Sequence, residues 1–494
     1  MKHNVTNHNY FIGIDIGTSS IKTSVYDRNF NVTTEKVDEY TYENKNEAWT
    51  EIDPYIWSNL VIAQLKDIFR EIPFKSIKSI GITGQMHTTV FLDKDHEPIY
   101  PAIMWNDKRT IKIVEEIKNK LPLNDETLNI HQIVSTGSPL ANLLWLKENE
   151  PVIYDKLNKM VIAKDFVRYI LTGQIMTDFC DASTSSMFNV IKEEWSTEVI
   201  QTFELSHSIF PEVKPATVNA GYLKLTLFDI QEDFSLPVVV GTGDNVASAV
   251  ANRVEDKQVP IISLGTSGVF IVSDSKDNWK RIGKNIIAKI MSEDNTVVTQ
   301  GVLQSGAKVI DWWTKKVVQQ DITKIEESLE DKIGDNNIIF FPYLNGDKTL
   351  FKDPTLNGYF TGITFDNVQS DFSLAIYEGV AFAFKRIIEA MKLTTDFDSI
   401  LLIGGGAQSN IWPIIFANVL NKTMLVNSEP REASCGAAML AYFLIYQEFP
   451  ELESNFKVVE PEKSIAFKYV SQYKKFMDIS DMVINNERRV GHES

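Results

Sequence analysis

Two segments of the chain repeat the same pattern of apolar and polar positions. Each has a run of mostly apolar, β-branched residues, then a Gly-Thr-Ser turn, then a second strand-like run that ends in aspartate. The first copy spans residues 11–27 and the second spans residues 261–274. Short apolar runs bounded by turn residues are typical of buried strands. We therefore predict two β-hairpins, separated by about half of the chain.

The rest of the pattern alternates predicted strands with predicted helices. A helix is predicted behind Pro54, where residues 54–69 place apolar side chains at helical spacing, and residues 111–203 are mostly helical in pattern. Apolar runs that end in a glycine-rich or polar turn occur at residues 79–83, 237–240 and 399–403. This alternation predicts α/β layers, with helices on both faces of central sheets. We place the boundary between two large domains after residue 246.

The composition is that of an ordinary globular protein, because 44% of the 494 residues are hydrophobic and 23% are charged. The formal net charge of −17 argues against nucleic acid or an anionic membrane as a partner. No window approaches the ~20 apolar residues that cross a bilayer, and the polar start lacks the apolar core of a signal peptide. The two cysteines give no disulfide framework, so we expect a cytoplasmic protein.

Asp15 ends the first apolar strand, directly before its Gly-Thr-Ser turn. A carboxylate is costly to bury without a partner, so we predict that Asp15 binds Mg²⁺ beside nucleotide phosphates. The alternative is an aspartate that hydrogen-bonds its own turn. Hydroxyl and N–H donors to the phosphates are predicted at Thr18, Ser19, Thr266 and Ser267. One Gly-Thr-Ser turn is an ordinary β-turn, whereas two in matching strands indicate an actin-like ATPase or a sugar kinase.

Asp244 ends another apolar strand and begins a predicted helix rich in Ala and Val. Its structural role would be an N-cap, which contributes ~1 kcal/mol. Its functional role would be the general base that accepts the proton of an attacking hydroxyl group. The neighbouring Gly241 and Gly243 permit a close approach by substrate. We favour the base.

A run of three glycines follows the strand at residues 399–403, in the segment 404–410. It could be a tight turn between strand and helix, but consecutive glycines cost conformational entropy, and a close-lying ligand explains them better. We interpret the segment as an adenosine site. A Rossmann fingerprint is the competing idea, but the G-x-G-x-x-G spacing within a βαβ unit is missing.

The loop Gly84-Gln85-Met86-His87 follows a short buried strand. Met86 and His87 could be packing residues, yet their place at the end of that strand favours contact with a substrate. Trp105 and Asn106 either line the same pocket or merely end a strand.

With these residues assembled, the chain resembles the FGGY family of carbohydrate kinases from about residue 11 to about residue 442. The resemblance rests on segments that are specific together: residues 84–87, 101–110, 241–245 and 358–363. It implies two actin-like (ribonuclease H-like) ATPase domains that flank a deep cleft. Residues 1–246 would form the sugar-binding half and residues 247–494 the nucleotide-binding half. The implied reaction is ATP-dependent phosphorylation of a sugar, with D-xylulose as the leading substrate.

Matching residues by position assigns roles within that reaction. Asp244 would be the base, with Mg²⁺ and ATP as the cofactors. The sugar would be held by Met86, His87, Asp244 and Asn245, and the pattern adds Gln85, Trp105 and Asn106 as further candidates for sugar contact. The phosphates would lie on Gly265 and Thr266, and the ribose and adenine beside Gly306, Gly405, Gly406, Ala407 and Asn410. A homodimer is plausible in the family.

The chain departs from the family pattern at Thr88, where glycine is usual, and at Asn142, where lysine is usual. One alternative substrate is therefore gluconate, and another is a different pentulose or polyol. An alternative from another class is a non-catalytic actin-like protein that binds ATP in order to switch or to polymerise. The loop at residues 84–87 argues against it, because such a protein needs no sugar site.

Overall fold

A computed structural model describes most of the chain. The residues that it leaves out are 1–8, 46–47, 232–233, 253–258, 276–295, 348–349, 352, 354–355, 394–395, 428–430, 453–455 and 492–494. For residues 274–275, 296–298 and 483–491, only the backbone is described. No helix within the described residues is both long enough and apolar enough to span a membrane.

Contacts divide the chain into two compact units, each assembled from separate stretches. The first unit comprises the described residues of 1–252, 285–298 and 431–453. The second comprises those of 253–284, 299–430 and 454–494. Residues 431–453 thus pack with the N-terminal part of the chain, although they follow most of the second unit in sequence. The division after residue 246 stays a prediction about domains.

The strands of the first unit are β1 Tyr10–Ile16, β2 Ser20–Tyr26, β3 Val32–Glu39, β4 Glu43–Asn44, β5 Thr50–Ile52, β6 Ile77–Gly84, β7 Thr89–Leu92, β8 Ala102–Ile103, β9 Lys159–Ile162, β10 Met176–Asp178, β11 Phe188–Asn189, β12 Glu194–Trp195, β13 Glu212–Lys214, β14 Asn219–Tyr222, β15 Pro237–Val239 and β16 Thr242–Gly243. The main sheet has the order β14-β15-β6-β1-β2-β3, and β16 also pairs with β6. In it, β1 is antiparallel to β2 and parallel to β6. A second sheet has the order β4-β5-β8-β7-β9, and two small pairs join β10 to β13 and β11 to β12.

The helices of the first unit surround these sheets. They are α1 Tyr55–Glu71, α2 Ile111–Lys120, α3 Leu128–Ile133, α4 Pro139–Asn149, α5 Pro151–Tyr154, α6 Ala163–Thr172, α7 Phe179–Thr184, α8 Thr197–Thr202 and α9 Asp244–Ala251, together with Ala433–Tyr446 from the late stretch of the chain. Short strands β9 to β12 interrupt residues 111–203, so this stretch is less helical than predicted.

Both faces of the main sheet are covered, as predicted. Successive side chains of β1 point to opposite faces, so its residues show what packs on each. Ile12 and Ile14 belong to the same apolar core as Trp57 of α1. On the opposite face, the ring of Phe11 lies 5.0 Å from that of Tyr442 in the helix Ala433–Tyr446.

This late helix approaches the sheet very closely, and glycine permits it. A Cβ atom added at Gly13 would lie 1.8 Å from the Ser434 carbonyl oxygen, and one at Gly81 would lie 1.7 Å from that of Ala437. Real Cβ atoms do not come so near to backbone. Gly13, in β1, and Gly81, in β6, therefore set the helix-to-sheet distance.

The second unit is built on one sheet with the order β19-β18-β17-β22-β23-β24, beside a small pair of β20 and β21. These strands are β17 Ile261–Leu264, β18 Gly268–Ser275, β19 Thr296–Leu303, β20 Ile339–Phe341, β21 Tyr359–Thr361, β22 Ser399–Ile403, β23 Thr423–Asn427 and β24 Phe456–Val459. The helices of the second unit are α10 Lys308–Trp312, α11 Ile322–Glu327, α12 Gln369–Met391, α13 Trp412–Leu420 and α15 Lys463–Gly491. The Ala433–Tyr446 helix of the first unit is α14.

Both predicted hairpins are confirmed. In the first, Ile14 of β1 pairs with Thr23 of β2, and in the second, Ile262 of β17 pairs with Phe270 of β18. Each Gly-Thr-Ser turn lies between the two strands of its hairpin. The mixed sheets with their covering helices confirm the α/β class.

Candidate functional site

The first Gly-Thr-Ser turn is tied to the body of the first unit. The Gly17 N–H donates to the carbonyl oxygen of Ser20 at 3.0 Å, which closes the turn. The Thr18 hydroxyl accepts a hydrogen bond from the Trp105 indole at 3.1 Å. Ser19 is exposed, and its carbonyl oxygen accepts from the Tyr40 N–H. Hydrogen bonds therefore hold the backbone and the Thr18 side chain of this turn, while Ser19 is exposed.

Asp15 lies two residues before Gly17, the first residue of this turn, and carries an unusual carboxyl group. Burial, and after it the nearby carboxylates of Asp244 and Glu432, raise the pKa of Asp15 to about 7, against an opposing effect of Lys22. Its buried Oδ1 atom has no hydrogen-bond partner in the described part of the chain. A nearby cation stabilises the ionised form of a buried carboxyl group and so lowers its raised pKa. The group therefore fits the predicted Mg²⁺ role.

Gln85 connects the loop after β6 to the first Gly-Thr-Ser turn. The Gln85 Nε2 group donates to the Gly17 carbonyl oxygen and to the Tyr40 hydroxyl, both at 3.2 Å. Its Oε1 atom accepts from the Thr88 hydroxyl at 3.0 Å. Because both ends of this amide are engaged within the protein, Gln85 orients the loop. The contribution of Tyr40 was missed by sequence reasoning, since its partners lie far away along the chain.

Thr88, which departs from the family pattern, belongs to the same network. Its hydroxyl also accepts from the Trp105 N–H at 3.2 Å. Trp105 is 43% exposed, whereas the Oδ1 atom of Asn106 is buried without a hydrogen-bond partner among the described residues. Thr88 thus connects the two segments that sequence analysis assigns to the sugar.

Met86 and His87 complete the loop beside the segment that carries Asp244. A Cβ atom added at Gly243 would lie 2.6 Å from Met86 Cγ, so these two segments touch. The Asn245 amide lies 3.8 Å from Met86 Sδ. His87 has a φ of 69°, a strained conformation for a residue that is not glycine, and such strain clusters at functional sites.

Asp244 is the first residue of α9, and Gly243 occupies the N-cap position. Asp244 is therefore not the N-cap residue that the alternative interpretation made it, because the helix begins at Asp244 itself. The Asn245 N–H donates to Asp244 Oδ1 at 2.7 Å. Burial raises the pKa of Asp244 to about 6, against the lowering effect of backbone N–H donors. A carboxylate with this pKa is ionised at neutral pH and is a stronger base than an ordinary aspartate.

Hydrogen bonds from three directions fix the backbone before Asp244. Arg168 donates to the Val240 carbonyl oxygen at 2.8 Å. The Thr242 hydroxyl donates to Asp178 Oδ2 at 2.8 Å, and the Thr83 hydroxyl donates to the Thr242 carbonyl oxygen at 2.6 Å. The position of the carboxylate thus depends on β6, α6 and β10.

Arg168 and Asp178 belong to a fully buried charge cluster that sequence reasoning missed. Lys164 Nζ lies 2.6 Å from Asp165, 3.0 Å from Asp178 and 3.1 Å from Asp181. Arg168 pairs with Asp165 at 2.6 Å. The available signal was the spacing of Lys164, Asp165 and Arg168 within an otherwise apolar helix.

In the second unit, Gly306 packs directly against the second Gly-Thr-Ser turn. A Cβ atom added at Gly306 would lie 2.4 Å from the carbonyl carbon of Ser267. The Ala307 N–H donates to the Gly265 carbonyl oxygen at 2.8 Å. Thr266 and Ser267 remain exposed, so their donors face outward.

The glycine-rich segment 404–410 begins beside the same turn. Gly404 has a φ of 91°, and its added Cβ would lie 2.7 Å from the carbonyl oxygen of Leu264. Gly406 packs on the ring of Trp412, and Ala407 is buried, whereas an added Cβ at Gly405 would meet nothing within 4 Å. Asn410 is exposed. The second unit thus brings together its predicted nucleotide residues around an open side at Gly405.

An α/β protein of two units, with one Gly-Thr-Ser hairpin in each, has the features of a phosphotransferase of the actin-like ATPase class. Residues 10–251 match the N-terminal domain of the FGGY family of carbohydrate kinases, and residues 261–445 match its C-terminal domain. The chain belongs to this family of enzymes, whose phosphate donor is ATP.

Named relatives cover most of the chain. A xylulose kinase from Staphylococcus xylosus is 32% identical over 87% of this chain and 90% of that protein. One from Lactococcus lactis is 30% identical over 98% of each. Among solved structures, a kinase from Brucella ovis, described as a xyloylose kinase, has a TM-score of 0.85 and 26% identity, covering 96% of this chain and 99% of that one.

Proposed function

We propose that this chain is an ATP-dependent kinase that converts D-xylulose to D-xylulose 5-phosphate. The observation that carries the proposal is the 30–32% identity to two xylulose kinases over nearly the whole chain. The grouping of Met86, Gly243, Asp244 and Asn245 supports it, because it sets a basic carboxylate beside the loop assigned to the sugar.

In the proposed reaction, the primary hydroxyl of the sugar gives its proton to Asp244 while its oxygen attacks the γ-phosphorus of ATP. The bond between the β–γ bridging oxygen and the γ-phosphorus breaks, and ADP leaves. The first unit supplies the sugar loop and the base. The second unit supplies the turn 265–267 and the segment 404–410 for the nucleotide. Most of the acceleration would come from alignment of the reacting atoms.

Asp15 is the residue proposed to face Mg²⁺, which would neutralise phosphate charge. No set of three or more His, Cys, Asp or Glu residues in the described chain could hold a metal ion by itself. Mg²⁺ is usually bound by one or two carboxylates together with substrate phosphates and water, and Asp15 would supply one such carboxylate.

The test is a coupled assay of ADP release with D-xylulose, D-ribulose, gluconate and glycerol as acceptors. D-Xylulose should give a kcat/KM at least tenfold above each of the others. The panel matters because Thr88 and Asn142 depart from the family pattern near the sugar segments, and Asn142 donates to the Thr89 hydroxyl at 3.1 Å. A preference for gluconate or glycerol would overturn the assignment of the sugar but not that of the family.

A further inference from the structure

Glu326 is a buried carboxylate at the end of α11, and its side chain faces the segment 404–410. It is 4% exposed. Its Oε1 atom accepts from the Ser409 hydroxyl at 2.7 Å, and its Oε2 atom accepts from the Asn410 N–H at 3.0 Å. One side chain therefore holds two consecutive residues of the glycine-rich segment, from a helix more than eighty positions earlier.

A third group, the Tyr377 hydroxyl, also donates a hydrogen bond to Glu326. The Tyr377 hydroxyl donates to Oε1 at 3.0 Å, and burial together with the Glu326 charge raises the pKa of Tyr377, which keeps its proton in place. Within the described residues, no lysine or arginine forms an ion pair with Glu326. Burying a carboxylate without a counter-ion is costly. Three hydrogen-bond donors to its two oxygens offset part of that cost.

The bonds from Glu326 reach the next helix through Ser409. The Ser409 hydroxyl oxygen also accepts from the Trp412 N–H at 3.1 Å, where α13 begins. The Trp412 indole in turn donates to the Tyr377 carbonyl oxygen at 3.1 Å. Segment 404–410 is thus fixed at its C-terminal end by Glu326, while the side at Gly405 stays open.

We propose that Glu326 is a positioning residue for the nucleotide, which holds Ser409 and Asn410 so that the segment 404–410 accepts adenosine. This inference rests on the proposed assignment of that segment to ATP. Glu326 itself is buried and acts on the segment through the Ser409 hydroxyl and the Asn410 N–H. An altered Glu326 should therefore change nucleotide affinity more than sugar affinity or fold stability.

The test compares Glu326→Gln with Glu327→Gln. Glutamine keeps the shape of the side chain but has only one acceptor atom, so one of the two loop bonds is lost. Glu327 is the neighbour on the same helix and is exposed, which makes it a matched control. Ser409→Ala removes one donor and leaves the carboxylate intact, and it serves as a second variant in case Glu326→Gln does not fold.

Isothermal titration with ADP in magnesium buffer gives a readout that is independent of turnover. We expect Glu326→Gln to bind ADP about tenfold more weakly and Ser409→Ala about threefold more weakly, with Glu327→Gln unchanged. In the coupled assay, the KM for ATP should rise in parallel while the KM for D-xylulose stays within twofold. The melting temperature of each variant is measured alongside.

Unchanged ADP affinity in a folded Glu326→Gln protein would overturn the inference, as would equal increases in the KM values of ATP and sugar. If Glu326→Gln does not fold, unchanged ADP affinity in Ser409→Ala decides against it. A wild-type protein that binds ADP but phosphorylates none of the sugars would refute the proposed function instead, and the ADP titration would still decide the role of Glu326.

Discussion

At the residue scale, two aspartates of the first unit have raised pKa values for the same main reason. Asp15 and Asp244 are both removed from water, and each is partly balanced by local groups, Lys22 for Asp15 and backbone N–H donors for Asp244. Perturbed carboxyl groups of this kind concentrate at functional sites. Their proposed roles differ, since one faces a cation and the other accepts a proton.

The substitution Asp244→Asn removes the proposed base and preserves its size. We expect kcat to fall by roughly 10²–10⁴-fold, because general-base catalysis contributes about that much. ADP affinity, measured by titration, should stay within twofold, because the segment 404–410 is untouched. A variant that phosphorylates D-xylulose at the wild-type rate would show that Asp244 is not the base.

The pH dependence of kcat/KM should report the same carboxyl group, because kcat/KM reflects ionisation of the free enzyme. The base must be ionised, so kcat/KM should fall as the pH drops below about 6, the pKa of Asp244. Stopped-time assays between pH 5 and pH 8 in buffers of constant ionic strength would measure this limb. A rate that is flat over this range would contradict the assignment.

At the scale of elements, the approach of α14 to the main sheet depends on glycine. Gly81→Ala would place a methyl group against the Ala437 backbone, which cannot move aside as a side chain could. We expect the free energy of unfolding to fall by about 1–3 kcal/mol, as at other overpacked sites. Gly405→Ala is the matched control, because its methyl group would meet nothing within 4 Å. Thermal melts of both variants would check this, and equal stabilities would argue against the close packing.

The sequence predicted the elements whose cues are local. Both hairpins could be predicted because each is an apolar run, a Gly-Thr-Ser turn and a second run within a short stretch. The strands within residues 111–203 could not be predicted, since strands such as Phe188–Asn189 are only two residues long and pair within the tertiary structure. Glu326 and Tyr40 could not be assigned, because their partners are set by tertiary contacts.

At the scale of the whole molecule, buried acids make stability depend on pH. Burial raises the pKa of Glu378 to about 8, although Tyr469 and Asn336 donate hydrogen bonds to it. A carboxyl group with a raised pKa in the folded state holds its proton more tightly there than in the unfolded chain. The contribution of Glu378 to stability is therefore fully present below its ordinary pKa of 4.5 and is lost as the pH rises towards 8.

Glu378→Gln should remove this dependence, because glutamine stays neutral at every pH. We expect the variant to match the wild type near pH 5 and to melt several degrees higher at pH 8.5, since each pKa unit corresponds to ~1.4 kcal/mol. Glu389→Gln, an exposed position on the same helix α12, is the control. Parallel melting curves of wild type and Glu378→Gln across this pH range would contradict the buried-acid explanation.

The position of α14 also bears on how the protein is made. Residues 10–252 leave the ribosome well before the helix that covers one face of their sheet, Ala433–Tyr446. Until then, Gly13, Gly81 and Phe11 lie on an uncovered apolar surface. The N-terminal portion can therefore complete its packing only after Tyr446 has been translated, and a nascent chain stalled before Ala433 should depend on chaperones to avoid aggregation.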